Sequence, residues 1–363
     1  MLELQIGEAV DRLITIPISI GGGFESRPYI LDLYKAARER MVAPLSFSAA
    51  RRLSEEMGRE SFVIFLTGVT EPLTLHPAPD GPIGTAVLAR ALALQFDAIP
   101  VVLSEGRNLE AVSMALKLAG LSPTDDVDLA REKKNKAVIL EAPMDVEGAR
   151  AQAIRLMDEL YPRAVISIEK FGRNDKGVYH AGVGLDVSNL CARVDEVVEE
   201  ANRMGILTIG IGDLGNEIGF GLIKDAVREV VATGKDCGCP CKGGIAATTE
   251  TSTIVVASVS NWGAYGVAAC LAALHRFPEL LHTPEMERRL IETLTSTITP
   301  DSLSGLFEPL VDGIPLNVHV DLVDLLNSIL NLRLEEGWRY RRYKELTSGK
   351  NRETLQEQLL KER

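Results

Sequence analysis

From residue 61 the chain alternates between short runs of Val, Ile, Leu and Ala and longer stretches with helical spacing. SFVIFLTG precedes GTAVLARALALQF, IPVVLSEG precedes NLEAVSMALKLAG, AVILEAP precedes DVEGARAQAIRLMDEL, and AVISIEKFG precedes VDEVVEEANRMG. Two further pairs follow, ILTIGIGD with EIGFGLIKDAVREVV and TSTIVVASVSNWG with AYGVAACLAALHRF. Near-continuous apolar strands must be covered on both faces, and helices that recur between them supply that cover in a parallel sheet. The expected class is α/β, an open, mostly parallel sheet of about six strands with helices on both faces and an appended C-terminal helical region.

Residues 1–60 read as an N-terminal extension packed on this core, with RLITIPISI as a strand, GGGFESRPY as a loop and ILDLYKAARERM as a helix. SFSAARRLSEEMG reads as a second helix, opened by a serine and closed by a glycine. The α/β core is assigned to 61–278. A helical cap or interface region follows at 279–340, carrying MERRLIETLTSTI and VDLVDLLNSILNLRLEE with the turn-rich TPDSLSGLFEPLVDGIPLN between them. Residues 341–363 read as a charged tail, either an exposed helix or a frayed end.

The formal net charge is −12, which disfavours nucleic acid and anionic membrane as partners, since both reward a cationic surface. Apolar runs such as IVVASV are far shorter than the roughly 20 residues that cross a bilayer. No signal-type segment opens MLELQIGEAVD, and the expectation is a soluble, cytoplasmic protein acting on a small molecule, with a homo-oligomer left open. Cys237, Cys239 and Cys241 in DCGCPCKGG are spaced more tightly than usual zinc ligands and lack a fourth ligand nearby in sequence. A tight polar turn with incidental cysteines is the expectation there, ahead of redox thiols or structural zinc.

Ligands of an open parallel sheet gather outside the carboxyl ends of its strands. The first end carries Thr67, Gly68, Asp80, Gly81, Pro82 and Gly84, a glycine-rich turn feeding a helix and therefore a candidate anion cradle. Glu105 and Glu141 follow the next strands, with Asn108 a candidate cap. The run IEKFGRNDKGVYHAGVGLD collects Glu169, Lys170, Arg173, Asn174, Asp175, Tyr179, His180 and Asp186, of which Glu169 and Asp186 are the foremost candidates to face inward. Thr248, Thr249, Glu250 and Thr251 precede the last strand, and Ser260, Asn261, Trp262 and Gly263 follow it. Asn261 is a candidate for binding a carboxylate or amide there, and Trp262 either walls a pocket or packs in the core.

GIGDLGNEIGFG, residues 210–221, puts five glycines and two carboxylates into twelve residues. A dinucleotide fingerprint is excluded because Asp213 and Glu217 would face a pyrophosphate, and no Walker loop occurs. Asp213, Asn216 and Glu217 are expected to converge on the first turn of a helix. Such hard oxygen ligands suit magnesium or manganese, and they equally suit a substrate ammonium. The alternative is a capped helix, with Asp213 or Asn216 as the cap.

Together TG, DGPIG before a helix, IEKFGRNDKGVYHAGVGLD, IGDLGNEIGFG and SNWGAYG resemble the D-glutamate cyclase family over roughly residues 20–335. In animals that family's catalytic domain forms the carboxyl-terminal part of a mitochondrial protein. Leu214 and Phe220 depart from the family's GDGGNEIGMG, and Ala78 and Pro79 stand where the first glycine loop commonly carries an acidic residue and threonine. The resemblance implies a hydro-lyase that converts D-glutamate to 5-oxo-D-proline and water. It casts Glu169 or Glu217 as the base for the ammonium, and Asp213, alone or through manganese or magnesium, as the group acting on the γ-carboxyl. The turn from Gly81 to Gly84 would receive the α-carboxylate with Asn261, while Thr67, Gly68, Asp80, Asp186, Asn216 and Ser260 complete the substrate contacts. The alternative is a binding protein of altered specificity for a small amino acid or related metabolite.

Overall fold

Phe62–Thr67 forms strand β1, and its side chains alternate between two apolar layers, Val63 and Phe65 facing one while Phe62, Ile64 and Leu66 face the other. This period of two explains why the run is apolar throughout. The computed structural model describes residues 2–18, 29–334, 342–345 and 347–361. Before β1 come helices α1 (Leu2–Ile14), α2 (Tyr29–Arg40) and α3 (Leu45–Glu56). After it the chain runs α4 (Pro82–Phe96), β2 (Ile99–Ser104), α5 (Leu109–Leu118), β3 (Ser122–Thr124), α6 (Val127–Glu132), β4 (Lys136–Glu141), α7 (Val146–Leu160) and β5 (Ala164–Ile168). It continues with α8 (Asp195–Arg203), β6 (Leu207–Gly212), α9 (Lys224–Val230), β7 (Thr253–Val256), α10 (Ser260–His275), α11 (Pro284–Thr297), the two-residue strands β8 (Leu310–Val311) and β9 (Ile314–Pro315), and α12 (Leu316–Leu334). Gly349–Lys361 forms a last helix.

The main sheet has seven parallel strands in the order β3-β4-β2-β1-β5-β6-β7. The extra strand beyond the sequence expectation is β3, three residues centred on Pro123. Proline is tolerated there because the strand lies at the edge. Strands added after β1 grow the sheet first to one side and then, from β5, to the other. β1 and β5 are paired from Val63 and Ala164 to Thr67 and Ile168. Their carboxyl ends define the point where the winding reverses, the place where such sheets open a crevice.

The N-terminal segment departs from its reading. Over its described residues, 12–18, RLITIPISI is not a strand: residues 12–14 end α1, whose Ile6, Val10 and Ile14 recur at helical spacing on one buried face against α3 and α10. The loop GGGFESRPY lies almost wholly outside the described residues. No serine side chain caps α3; Pro44 precedes it, and Asp11 of α1 accepts the Leu45 and Ser46 amides at 2.6 and 3.1 Å.

α10, SNWGAYGVAACLAALH, is buried along nearly its whole length. A Cβ on Gly263 would lie 2.4 Å from Ile211 of β6, so the small residue lets the helix rest on the sheet. Between β8 and β9, Asp312 and Gly313 both take positive φ, 53° and 71°, which is the two-residue hairpin turn that an Asp-Gly pair favours. Asp301 Oδ1 accepts the Gly313 amide at 2.6 Å and holds this hairpin down. Among the described residues no helix is long and apolar enough to cross a membrane.

Candidate active site

At the winding reversal the ends of β1 and β5 are tied by Thr67, whose Oγ1 donates to the Ile168 carbonyl at 2.9 Å. Lys170 Nζ donates to the Gly68 carbonyl at 2.7 Å and pairs with Glu105, both side chains being buried. Glu105 also accepts from the Ala192 amide and from Asn108 Nδ2, so it anchors the polar excursion after β5. Asn108 is therefore no helix cap; its other side-chain atom, Oδ1, accepts from Thr70. Glu141 is exposed and stands apart.

Glu169 sits between these elements with φ at +45°, a conformation costly for a non-glycine residue. It is half-buried, and its Oε2 accepts from Ser260 Oγ at 2.6 Å. One ligand oxygen from each of Glu169, Asp213 and Glu217 lies within 4.8 Å of the others, and the same holds for Asp80, Asp213 and Asp312. Asp213 thus joins two overlapping carboxylate triads drawn from the ends of β5 and β6, the turn before α4 and the β8–β9 hairpin.

The glycines of GIGDLGNEIGFG have a definite steric task. A Cβ on Gly210 would lie 2.5 Å from the Ile218 carbonyl, and one on Gly212 would lie 2.7 Å from Glu217 Cδ, so the segment after β6 folds back across the strand that precedes it. Gly215 and Gly219 make the reversal at φ of 113° and 107°. Glu217 Oε1 then accepts the Asp213 and Leu214 amides, both at 2.9 Å, and its Oε2 accepts the Gly215 amide at 2.7 Å. The expectation of a helical first turn is overturned here, because α9 begins only at Lys224 and neither Asp213 nor Asn216 caps it. Asn216 Nδ2 donates to the His180 carbonyl at 2.8 Å, and its Oδ1 is buried without a hydrogen-bond partner among the described residues.

Opposite this turn, the Gly81 and Gly84 amides donate to Asn261 Oδ1 at 2.9 and 2.6 Å. Those two donors are committed to a side chain, so the turn does not offer them to an anion as expected. Asp80 accepts in turn from the Ser260 and Asn261 amides at 2.9 and 2.7 Å. A Cβ on Gly81 would lie 3.0 Å from that of Glu169 and 2.9 Å from Thr67 Oγ1, so glycine permits the approach of three predicted residues. Trp262 is core, and its Nε1 donates to His319 Nδ1 at 2.9 Å. That bond leaves the proton of a neutral His319 on Nε2, which lies 3.2 Å from the Ile314 carbonyl of the hairpin. Burial lowers the pKa of His319 and keeps it neutral.

Crowding of the carboxyls shows in their titration. Burial first, then the charge of Asp213, raises Asp80 to about 7 and Glu217 to about 8. The same two causes, joined by Glu217 and Asp80, push Glu169 well above the usual carboxylate range. At neutral pH such a cluster is relieved by bound protons or by a cation. All-oxygen donors suit magnesium or manganese, and the orphaned Asn216 oxygen adds an acceptor to the same turn.

The family described as D-glutamate cyclase-like, C-terminal, matches residues 34–327. The chain belongs to the D-glutamate cyclase-like family. It is also 26% identical over 317 residues to the human protein named D-glutamate cyclase, mitochondrial. That alignment takes in 79% of this chain and 47% of the human protein, so the chain spans about half the length of its curated relative.

Within this D-glutamate cyclase-like domain the departures from the family motif are apolar. Phe220 is fully buried, and Leu214 occupies the space beside Gly182, where a Cβ would lie 2.4 Å from its Cδ2. Asp186 does not join the acidic cluster; it is exposed, and its Oδ1 accepts the Ser188 amide. The polar run around it is pinned by Tyr179 to Asp195 and by Arg173 to Glu196. Thr248 and Thr249 serve the same scaffold through the Arg173 carbonyl and Asp195. Asp312 was not singled out from sequence. Its signal was the Asp-Gly pair in LVDGIP, which announces a hairpin but not where the hairpin docks.

Proposed function

We infer that the domain cyclises D-glutamate to 5-oxo-D-proline with release of water. The observation that carries this reading is the placement of Glu169, held by Ser260 and within reach of Asp213 at the winding reversal, where burial and the neighbouring carboxylates push its pKa upward. A base for a substrate ammonium works best with a pKa near the operating pH, and a carboxylate cluster is the natural counterpart of an ammonium.

Glu169 takes a proton from the ammonium, which frees the nitrogen lone pair to attack the γ-carbon of the same molecule. The C–N bond forms and a γ C–O bond breaks. The two protons lost by nitrogen end on the departing oxygen, which leaves as water, so no oxidant or group donor is needed. Holding the substrate folded supplies much of the advantage for such an intramolecular step. Glu217, with its oxygens engaged by three backbone amides, shapes the turn that presents Asp213. A magnesium or manganese ion at the Asp213 carboxylates would neutralise the cluster and polarise the γ-carboxyl.

Proton NMR of the purified protein with D-glutamate and, separately, L-glutamate tests this, with and without EDTA and re-added manganese. Lactam from the D isomer alone is the expected result. Absence of lactam from the D isomer in the presence of metal, and of ring opening from 5-oxo-D-proline, would remove the reading in favour of a binding protein.

A further inference from the structure

The three cysteines of DCGCPCKGG have a fourth companion that their own neighbourhood in sequence does not supply. His180, 59 residues before Cys239, comes from the excursion after β5 and places Nε2 at 3.3 Å from Cys239 Sγ and 3.5 Å from Cys241 Sγ. Cys237 Sγ lies 3.2 Å from Cys239 Sγ and 3.5 Å from Cys241 Sγ. All four donor atoms fall within 4.8 Å of one another. We propose that His180, Cys237, Cys239 and Cys241 form a tetrahedral zinc site, separate from the carboxylate cluster and independent of the reaction assigned to it.

Three observations carry this. The first is shape: zinc–sulfur bonds of about 2.3 Å place tetrahedral ligands roughly 3.8 Å apart, and a slight expansion of the present spacings reaches that figure. A disulfide needs sulfurs at about 2.05 Å and uses only two of them, which leaves the third thiol and the imidazole without a purpose. The second is charge. The Cys241 amide points at Cys239 Sγ at 3.4 Å, and the Gly243 amide and Asn174 Nδ2 point at Cys241 Sγ at 3.3 and 3.5 Å. Donors aimed at sulfur spread the negative charge of thiolates, the form in which cysteine binds metal. The third is the imidazole itself, 1% exposed, with Nδ1 lacking a hydrogen-bond partner among the described residues. Its Nε2 faces two of the sulfurs, the orientation of a metal ligand, and a metal bond there would offset part of the cost of burying the ring.

The site also has a place in the architecture. A Cβ on Gly184 would lie 2.1 Å from the Cys237 carbonyl, so the cysteine loop is packed directly on the excursion that carries His180. The His180 carbonyl accepts from Asn216 in the turn that holds Asp213 and Glu217. Zinc would therefore fasten two long connections to each other beside that turn, while the carboxylates select a harder ion.

The test is elemental analysis of protein purified under reducing conditions, followed by exchange of its metal for cobalt. Stoichiometric zinc is expected, and the cobalt form should show thiolate-to-metal charge transfer with the intense visible bands of a tetrahedral centre. Cys239→Ser and His180→Ala should lose zinc and those bands, and the spectrum of the unsubstituted protein decides the matter even if a variant fails to fold. Absence of zinc together with weak six-coordinate cobalt bands and no charge transfer overturns the proposal, as does a disulfide among the three cysteines in that preparation.

Discussion

Asp80 and Asn261 cap each other's helices. Asp80 takes the first amides of α10, and Asn261 takes the Gly81 and Gly84 amides at the start of α4. Both helix N-termini therefore point at the carboxylate cluster, and their positive ends offset part of its charge. Asn261→Ala leaves the buried Gly84 amide unanswered, while the Gly81 amide keeps Asp80 Oδ1 at 3.0 Å. A loss of about 1–3 kcal/mol in stability is expected if that amide stays unpaired, read by urea denaturation. An unchanged midpoint would mean that water replaces the side chain without cost.

Glu169→Gln removes the proton acceptor while retaining the shape that accepts from Ser260. Turnover should fall by about 100-fold or more, the usual range for a general base, with the circular dichroism spectrum unchanged. In the unsubstituted protein the rate should rise with pH, because the raised carboxyl must ionise before it can act. Activity retained by the folded variant would exclude Glu169 as the base.

Asp213 and Glu217 are predicted to separate by their effects on stability. Glu217→Gln turns one acceptor into a donor facing a backbone amide in the 213–215 turn, and should cost about 1–3 kcal/mol. Asp213→Asn relieves the repulsion felt by Asp80, Glu169 and Glu217, and should leave stability equal or higher while turnover drops by about 100-fold or more. Thermal melting beside lactam formation reads both; equal destabilisation by the two variants would contradict the division.

The pH dependence of stability follows from the raised carboxyls. The folded protein holds protons that the unfolded chain has already released, so this contribution is full below the ordinary carboxylate pKa. It is lost as pH climbs through about 7 for Asp80 and about 8 for Glu217. Tm of EDTA-treated protein should therefore decline over this interval, and added magnesium or manganese should restore more of it at the upper end. A Tm that climbs with pH across the same interval in wild type but not in Asp213→Asn would reverse the sign assigned to the cluster.

Asp312 sits in the left-handed region at φ 53°, which asparagine also accepts. Asp312→Asn should leave melting unaltered while raising the concentration of divalent cation or substrate needed for half-maximal rate. An unchanged requirement for both would remove Asp312 from the site.

The sheet could be read from the chain because its strands are apolar for their full length and the helices between them keep a steady period. What escaped was set by contacts from afar. RLITIPISI has strand composition, yet its first residues belong to a helix whose buried face is decided by α3 and α10. Glu169, Asp213 and Glu217 were visible as acids at strand ends, but the fold-back that gives Glu217 three amides depends on positive φ at Gly215 and Gly219. His180 beside the cysteines, and Asp312 beside Asp80, could not be paired from spacing alone, since long connections bring each to its partners.

The hairpin that brings Asp312 to the cluster consists of two-residue strands, too short to persist in isolation, and it docks through His319 onto Trp262 in the core. The sheet can thus close before the carboxylate set is complete. During refolding, the environment of the Trp262 indole would report arrival of the last acidic ligand, because the same segment carries Asp312 and the His319 that accepts from the indole.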